Sequence, residues 1–277
     1  MESFGIIAGN GLYPILMARA AKAQGVRRVV VAAFEGETDP SISAVADEVV
    51  WIRVGQLGKM IKIFTSRNVT EVAMVGQISL QNLWDVRPDF RALAALIKMK
   101  ERNAETIFGG TVNELQKDGV TVVPATRFLE DHLAKLGLIA GPSLSGSEKE
   151  DVIFGARIAK SVSAMEIGQT VVVKKGTVLA VEAFESTNDA MLRGGKIGKG
   201  KVVLVKVSKP NHDFRYDVPV MGMKTMDIAL ESGVRVLAME SGKTLLLEKD
   251  EMFGFARKHG ISLYAFEVNA QGDAIVS

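Results

Sequence analysis

The densest group of reactive side chains in the sequence lies in segment 209–222. Two cations, two carboxylates and a histidine follow one another there: Lys209, His212, Asp213, Arg215 and Asp217. Prolines stiffen this segment, because the ring of proline restricts φ and removes an amide donor. A stiff loop of unlike charges could hold a metal ion and phosphate groups. The alternative is a solvated surface loop whose ions pair with one another.

The ligand types in this loop favour magnesium over zinc. Of the three histidines, His212 stands among acids, and one imidazole beside carboxylates makes a poor zinc site. Oxygen ligands suit Mg²⁺. Cysteine is absent, which excludes thiolate nucleophiles and cysteine-based zinc sites and agrees with a reducing compartment.

A second group of oxygen-bearing side chains precedes the basic, glycine-rich stretch 193–196. Its members are Glu182, Glu185, Thr187, Asn188 and Asp189. Such ligands beside a flexible basic segment would suit magnesium and phosphates, so Asp189 is a candidate metal ligand. The alternative is a helix N-cap at Asn188 and Asp189.

Polar turns in the first half of the chain form a third candidate region. Each follows a strand-like run, and together they contribute Gly9, Asn10, Gly11, Gln56, Lys59 and Gln77. Ligands bind at the carboxyl edge of open parallel sheets, so we expect these residues to contact substrate. Plain structural turns are the alternative for each of them. Pro14 replaces the third glycine of a dinucleotide fingerprint, which weakens a nicotinamide site that would use Glu35 for the ribose.

Strands and helices alternate along the first half, which predicts βαβ units and a parallel sheet. We predict strands at 4–8, 28–34, 48–54, 71–76 and 120–123, and helices at 14–24, 56–68, 89–102 and 104–117. A stretch rich in Gly, Pro and Ser, 137–147, predicts a linker. The expected domains are therefore 1–136 and 148–277.

The second half is also predicted to be α/β, with a mixed sheet because it contains a hairpin. The hairpin joins strands at 170–174 and 177–183 through Lys175 and Gly176. Further strands are predicted at 202–207, 234–239 and 261–266, and helices at 149–163, 225–232 and 249–258.

One predicted helix carries an apolar stripe next to basic residues. The stripe comprises Trp84, Phe90, Leu93, Leu96, Ile97 and Met99, and Lys98, Lys100 and Arg102 follow it. A stripe of this kind usually faces the core. A face that holds an acyl chain or touches a membrane surface is the second interpretation.

Bulk composition limits the classes of function. The chain has 277 residues, of which 47% are hydrophobic, and its formal charge is +2, which gives no electrostatic basis for a nucleic-acid partner. No apolar run approaches the roughly 18 residues of a membrane span, and we expect no signal peptide. These features predict a soluble cytoplasmic protein.

Five motifs, in their order and spacing, carry a resemblance to a known family. They are 7–14 (IAGNGLYP), 55–59 (GQLGK), 167–174 (IGQTVVVK), 178–183 (VLAVEA) and 209–219 (KPNHDFRYDVP). Together they resemble the LpxI-type UDP-2,3-diacylglucosamine pyrophosphatases of lipid A biosynthesis. The resemblance implies a Rossmann-like N-terminal domain, a C-terminal catalytic domain and magnesium-dependent cleavage of the diphosphate. The implied products are UMP and 2,3-diacylglucosamine 1-phosphate.

The resemblance also implies roles for individual residues. The essential carboxylate of the family motif corresponds to Asp217, as magnesium ligand or water-positioning group. On physical grounds we expect Asp213 as a second ligand, with Lys209 and Arg215 neutralising the diphosphate. Further expected substrate contacts are Gln169, Thr187, Asn188 and His212. Two departures stand out: Ser186 and Asn188 occur where the family has Gly and Asp, and His212-Asp213 occurs where it often has Gln-Asp.

The expected partner is the lipid substrate, with peripheral contact at the inner membrane and a homodimer both left open. Two other functions remain alternatives at this point. One is a nicotinamide-dependent Rossmann oxidoreductase, and the other is a non-catalytic binder of nucleotide sugars or lipids.

Overall fold

The computed structural model describes residues 1–78, 88–99, 104–209, 212–269 and 274–276. The chain divides into two compact units, one made of Met1–Glu130 with Asp213–Asp217 and the other of Asp131–His212 with Val218–Ser277. Both units combine helices with a sheet, which confirms the predicted α/β class.

The first unit is built on a five-stranded parallel sheet in the order β3-β2-β1-β4-β5. This is the strand order of the Rossmann half-fold, as expected. Its strands are β1 (Ser3–Ala8), β2 (Arg28–Phe34), β3 (Glu48–Ile52), β4 (Glu71–Val75) and β5 (Thr121–Val122). Its helices are α1 (Tyr13–Ala23), α2 (Leu57–Thr65), α3 (Phe90–Ile97) and α4 (Ala104–Lys117).

The inner strands of this sheet are almost continuously apolar because helices cover both faces. Six of the seven residues of β2 are buried. On one face, α2 contributes Met60, Ile61 and Phe64 to a core that also contains Leu115 of α4. Because the strands pair in parallel, the carboxyl ends of β1, β3 and β4 lie at one edge of the sheet, where the predicted polar turns are found.

The second unit has a seven-stranded mixed sheet in the order β14-β13-β11-β9-β7-β8, with β6 also paired to β13. The strands are β6 (Gly137–Ala140), β7 (Thr170–Lys174), β8 (Thr177–Val181), β9 (Val202–Lys206), β11 (Val234–Glu240), β13 (Ser262–Val268) and β14 (Ala274–Ile275). A two-stranded sheet pairs β10 (Val220–Met221) with β12 (Leu245–Leu246). The helices are α5 (Gly146–Ala164), α6 (Thr187–Gly198), α7 (Met223–Glu231) and α8 (Lys249–His259).

Strands β9, β11 and β13 run parallel, whereas β6, β7, β8 and β14 pair antiparallel. The hairpin turns at Lys175 and Gly176, which have φ of 49° and 71°. Asp151 accepts hydrogen bonds from both of their amides, at 2.8 and 2.7 Å. The predicted hairpin and mixed sheet are confirmed.

Two segments differ from the sequence-based expectation. Residues 193–196, expected to be flexible, lie inside helix α6, so that prediction is wrong. Segment 137–147, in which we expected a linker, carries strand β6 and the N-cap of α5. Ser145 and Glu148 form a capping box there.

Candidate active site

The turns that follow β1 and β4 are joined through their backbones. The amide of Asn10 donates to the carbonyl of Gln77 over 2.6 Å, and the amide of Gln77 donates back over 3.2 Å. A Cβ on Gly9 would lie 2.5 Å from the Gln77 carbonyl oxygen, so this close approach requires glycine. The pairing lies at the point where the strand order reverses, the usual position of a dinucleotide. It therefore weakens the oxidoreductase alternative, while the Asn10 and Gln77 side chains stay exposed.

The turn before α2 is internally satisfied. Gln56 directs its Oε1 to the amide of Arg53 at 3.0 Å, and the exposed Lys59 approaches the carbonyl of Trp51 at 3.4 Å. The amide of Gly58 donates to Oδ2 of Asp89 at 2.7 Å. The carboxylate of Asp89 therefore already occupies the N-terminus of this helix, where an anion could otherwise bind. Substrate contacts by Gln56 and Lys59 stay predictions.

The segment Asp213–Asp217 forms a compact turn that belongs to the first unit. The guanidinium of Arg215 donates to Asp213 from Nε at 2.9 Å and from Nη2 at 2.6 Å. The amide of Asp217 donates to the carbonyl of Asp213 at 3.0 Å. The hydrogen bond from Arg215 lowers the pKa of Asp213 below its ordinary value, and the same contact raises the pKa of Arg215.

This turn is anchored to the first unit at two points. The ring of Tyr216 stacks on Phe108 of α4, with centroids 5.7 Å apart and planes at 29°. The amide of Ala125 donates to the carbonyl of Phe214 over 2.7 Å. Both anchors flank Arg215, so the backbone that carries Asp217 is held in one conformation.

The three predicted magnesium ligands are Asp189, Asp213 and Asp217. Asp213 has both oxygens on Arg215, and Asp189 accepts a 2.7 Å hydrogen bond from the hydroxyl of Ser186 at the start of α6. Among the described residues, no group of three or more His, Cys, Asp or Glu side chains could hold a metal ion. Magnesium is often bound through one or two carboxylates with water and substrate phosphates, so a magnesium site at Asp217 stays a prediction.

A nearly buried polar chain lies at one edge of the second sheet. Lys206, only 8% exposed, donates from Nζ to Oγ1 of Thr187 at 2.8 Å. Thr187 donates in turn to Oε1 of Glu182 at 2.5 Å. Sequence analysis selected Thr187 but missed Lys206, although a lysine that ends the apolar strand β9 was the available signal.

Gln169 stands next to this chain. Its amide donates to Oε2 of Glu182 at 3.3 Å, and its carbonyl accepts from the amide of Val207 at 2.9 Å. The side-chain oxygen Oε1 of Gln169 is buried without a hydrogen-bond partner. Such an orphaned acceptor is uncommon in native proteins and calls for an explanation.

A second buried charge cluster, missed by sequence analysis, secures the start of segment 209–222. Glu240 is 2% exposed and accepts from Nζ of Lys160 at 2.7 Å and from the amide of Ser208 at 3.0 Å. Burial raises the pKa of Glu240, but the hydrogen bonds from Lys160, Lys243 and Ser208 outweigh it, so the pKa lies below its ordinary value. Lys209, which follows Ser208, and His212 are both half-buried members of the second unit.

The start of α6 contains a strained residue. Ser186 has φ 125° and ψ 161°, a region that is almost restricted to glycine. The resemblance implies glycine at this position, and the φ of Ser186 is one that glycine adopts without steric cost. Asn188, in the first turn of α6, is half-buried.

Helix α3 presents an exposed apolar face. Phe90 is 94% exposed, Ile97 70% and Leu93 45%, whereas Ala92 packs in the core. The stripe is therefore not a core face at these positions, and Trp84, Lys100 and Arg102 lie outside the described residues. Within the described part of the chain, no helix has the length and apolarity to cross a bilayer.

Two solved structures match this chain with low similarity. The biotin carboxylase domain of a thermophilic 2-oxoglutarate carboxylase is 15% identical, with a TM-score of 0.27, and the match covers 62% of this chain and 35% of that one. N5-carboxyaminoimidazole synthetase from Staphylococcus aureus is 13% identical, with a TM-score of 0.28, over 73% of this chain and 46% of that one. Scores this low carry no argument about fold or function.

Sequence comparison is far more specific. The LpxI N-terminal domain matches residues 3–132, and the LpxI C-terminal domain matches residues 135–264. A relative from Caulobacter vibrioides, named UDP-2,3-diacylglucosamine pyrophosphatase LpxI, is 28% identical over 273 residues, which cover 94% of this chain and 96% of the relative. These matches confirm the resemblance seen in the motifs. The chain belongs to the LpxI family.

Proposed function

We propose that this chain hydrolyses the diphosphate bond of UDP-2,3-diacylglucosamine, giving UMP and 2,3-diacylglucosamine 1-phosphate for lipid A biosynthesis. The name of the Caulobacter vibrioides relative and the matches to both LpxI domains support the reaction. The single observation that carries the assignment of the site is the turn Asp213–Asp217, in which two anchors and the Asp213–Arg215 pair fix the backbone of Asp217.

Asp217 is the carboxylate of the family motif, and its amide donates a 3.0 Å hydrogen bond to the carbonyl of Asp213 within the turn. On this basis we assign Asp217 as the group that holds magnesium or orients the attacking water. When bound, magnesium would neutralise charge on the diphosphate and activate water. A fixed backbone at Asp217 restricts the positions that its carboxylate can take, which suits this task because misplacement of a catalytic group is costly in rate.

Two basic side chains of segment 209–222 have different proposed roles. Lys209 follows Ser208, which Glu240 fixes through the backbone amide and the hydroxyl. We assign Lys209 to the diphosphate. Arg215 contributes mainly by holding Asp213, because its Nε and Nη2 donate to that carboxylate.

Because the proposed substrate is a lipid, we assign the exposed apolar face of α3 to contact with a membrane surface. Phe90, Leu93 and Ile97 form an apolar strip beside Lys98, an arrangement that suits contact with an inner-membrane surface from the cytoplasm. Replacing Phe90 and Ile97 by Ser should weaken co-sedimentation with anionic vesicles several-fold. The same change at Phe184, which is 95% exposed in the second unit, serves as control. Equal loss in both variants would contradict this assignment.

Product analysis tests the reaction itself. The protein is incubated with UDP-2,3-diacylglucosamine in detergent micelles, with magnesium or with a chelator, and UMP and the lipid phosphate are quantified. Equimolar release of both products that depends on magnesium is expected. Tight substrate binding without release would favour the non-catalytic binder, and binding of a nicotinamide cofactor without hydrolysis would favour the oxidoreductase.

A further inference from the structure

The buried side-chain oxygen of Gln169 lacks a partner although the residue is firmly placed. Burying a carbonyl oxygen without a hydrogen bond destabilises the folded protein. Several contacts within the second unit fix the backbone of Gln169 and so limit the directions that its side chain can take.

The backbone of Gln169 is fixed on both sides. Its amide is bound to Glu182 and its carbonyl to Val207. At the preceding position, a Cβ on Gly168 would lie 2.0 Å from the carbonyl oxygen of Glu182, so only glycine allows this approach. The segment is therefore pressed against the end of β8, with little room to adjust.

Glu182 is itself held by the buried chain of Thr187 and Lys206. Thr187 has one hydroxyl proton, which it gives to Glu182, while its oxygen accepts from Lys206. A buried ammonium and a buried carboxylate are thus joined through one hydroxyl, and the hydroxyl of Thr170 lies 3.4 Å from that of Thr187. Such a polar network resists rearrangement. The network thus supports Gln169 and does not supply its Oε1 with a donor.

We propose that Gln169 is a specificity-determining residue whose Oε1 accepts a hydrogen bond from an uncharged O–H or N–H group of the ligand. The inference rests on the proposed function and adds the chemistry that this side chain recognises. An acceptor left without a donor in the free protein gains one when ligand binds, so the cost in stability becomes selectivity in binding. A sugar hydroxyl or acyl amide and the uracil N–H share this chemistry.

Replacing Gln169 by Met, which keeps the length of the side chain and removes the acceptor, tests the proposal. The melting temperature of the free protein should rise by about 2 °C or more, since an unpaired buried acceptor is gone. The KM for UDP-2,3-diacylglucosamine should rise about 10-fold with little change in kcat. Gln169→Leu is the second variant, and Gln116→Met makes the same change on an exposed glutamine and should alter neither quantity.

Binding of the two products then identifies the donor. Weaker binding of 2,3-diacylglucosamine 1-phosphate alone assigns it to the acylated sugar, and weaker binding of UMP alone assigns it to the uridine; either result supports the proposal. Wild-type turnover with unchanged KM and product affinities in both Gln169 variants overturns it. Absence of turnover and product binding in the wild type would instead overturn the proposed function, and this inference with it.

Discussion

The guanidinium of Arg215 grips the carboxylate of Asp213 two positions earlier, with Nη2 2.6 Å from Oδ2 and Nε 2.9 Å from Oδ1. Asp213 was predicted to bind magnesium and Arg215 to neutralise the diphosphate, but in the structure the two side chains are paired with each other. Planar, bidentate pairing of this kind has more geometric specificity than a simple ion pair. It makes Asp213 and Arg215 supports for the turn that ends at Asp217.

The pairing predicts a particular pH dependence of stability. Because Arg215 lowers the pKa of Asp213, this carboxylate stabilises the fold above its unfolded pKa, and the contribution is lost as the pH falls through the lower folded pKa. We expect the difference in melting temperature between wild type and Arg215→Met to be constant near neutral pH. It should shrink as the pH falls below the ordinary aspartate value of 3.8.

Thermal unfolding followed between about pH 3 and 7 checks this prediction, a range that spans typical aspartate pKa values. Arg257→Met, an exposed arginine on α8, is the control and should show no such acid-dependent difference. A stability difference for Arg215→Met that stays the same at every pH would contradict the coupling to Asp213.

The strained backbone at Ser186 predicts a stabilising substitution. Ser186→Gly should raise the free energy of unfolding by about 1 kcal/mol, because glycine adopts φ 125° without the steric cost. The lost cap to the amide of Asp189, at 3.3 Å, offsets only a few tenths of a kcal/mol. Chemical denaturation of both proteins measures the change.

Ser145→Gly provides the matched control for this substitution. Ser145 is also a helix N-cap, but it has φ −69° and takes part in a complete capping box, so glycine there should lower stability. Opposite signs at the two serines are expected. Loss of stability at both would mean that Ser186 is not strained.

The buried cluster around Glu240 predicts a large loss of stability. Glu240→Ala leaves Lys160, which is 17% exposed, without its carboxylate, and should cost about 3–5 kcal/mol. Lys243 contacts the same carboxylate but is 41% exposed, so Lys243→Met should cost less than about 1 kcal/mol. Urea unfolding compares the two. Similar small costs would show that Glu240 is not the anchor for Ser208 and the segment after it.

Much of the fold could be predicted because the local signals agree with the tertiary structure. Strand β2 and helix α4 have the predicted bounds, since an apolar run of β-branched residues and a clear helical period leave little choice. The turn at Lys175 and Gly176 was predictable because a glycine between two strand-like runs favours the positive φ of a tight hairpin turn. Both residues adopt positive φ in the structure.

Other features depend on packing that no local pattern contains. Gly194 and Gly195 suggested flexibility, yet a Cβ on them would lie 2.6 Å from Val172 and 2.1 Å from the carbonyl of Ser232. These glycines allow α6 to approach its neighbours closely. Strand β6 was missed because its partner, β13, follows more than a hundred residues later.

The candidate site shows the same division. The motif around Asp217 was found from sequence, and its assignment to catalysis stays a prediction. The pairing of Asp213 with Arg215, the buried Lys206 and the anchoring Glu240 required three-dimensional contacts. Polar residues that end buried strands were a usable signal, but sequence alone gave no partners for them.

The most direct test of the central claim compares Asp217→Asn with Asp227→Asn, an exposed aspartate on α7. Release of UMP from UDP-2,3-diacylglucosamine is measured with magnesium, together with substrate binding and melting temperature. We predict that Asp217→Asn lowers kcat at least about 100-fold while substrate still binds and the fold is retained, as for loss of a group that acts on the transition state. The control should keep wild-type turnover. Full turnover by Asp217→Asn would contradict the account, because the reaction would then not depend on the carboxylate that this turn holds in place.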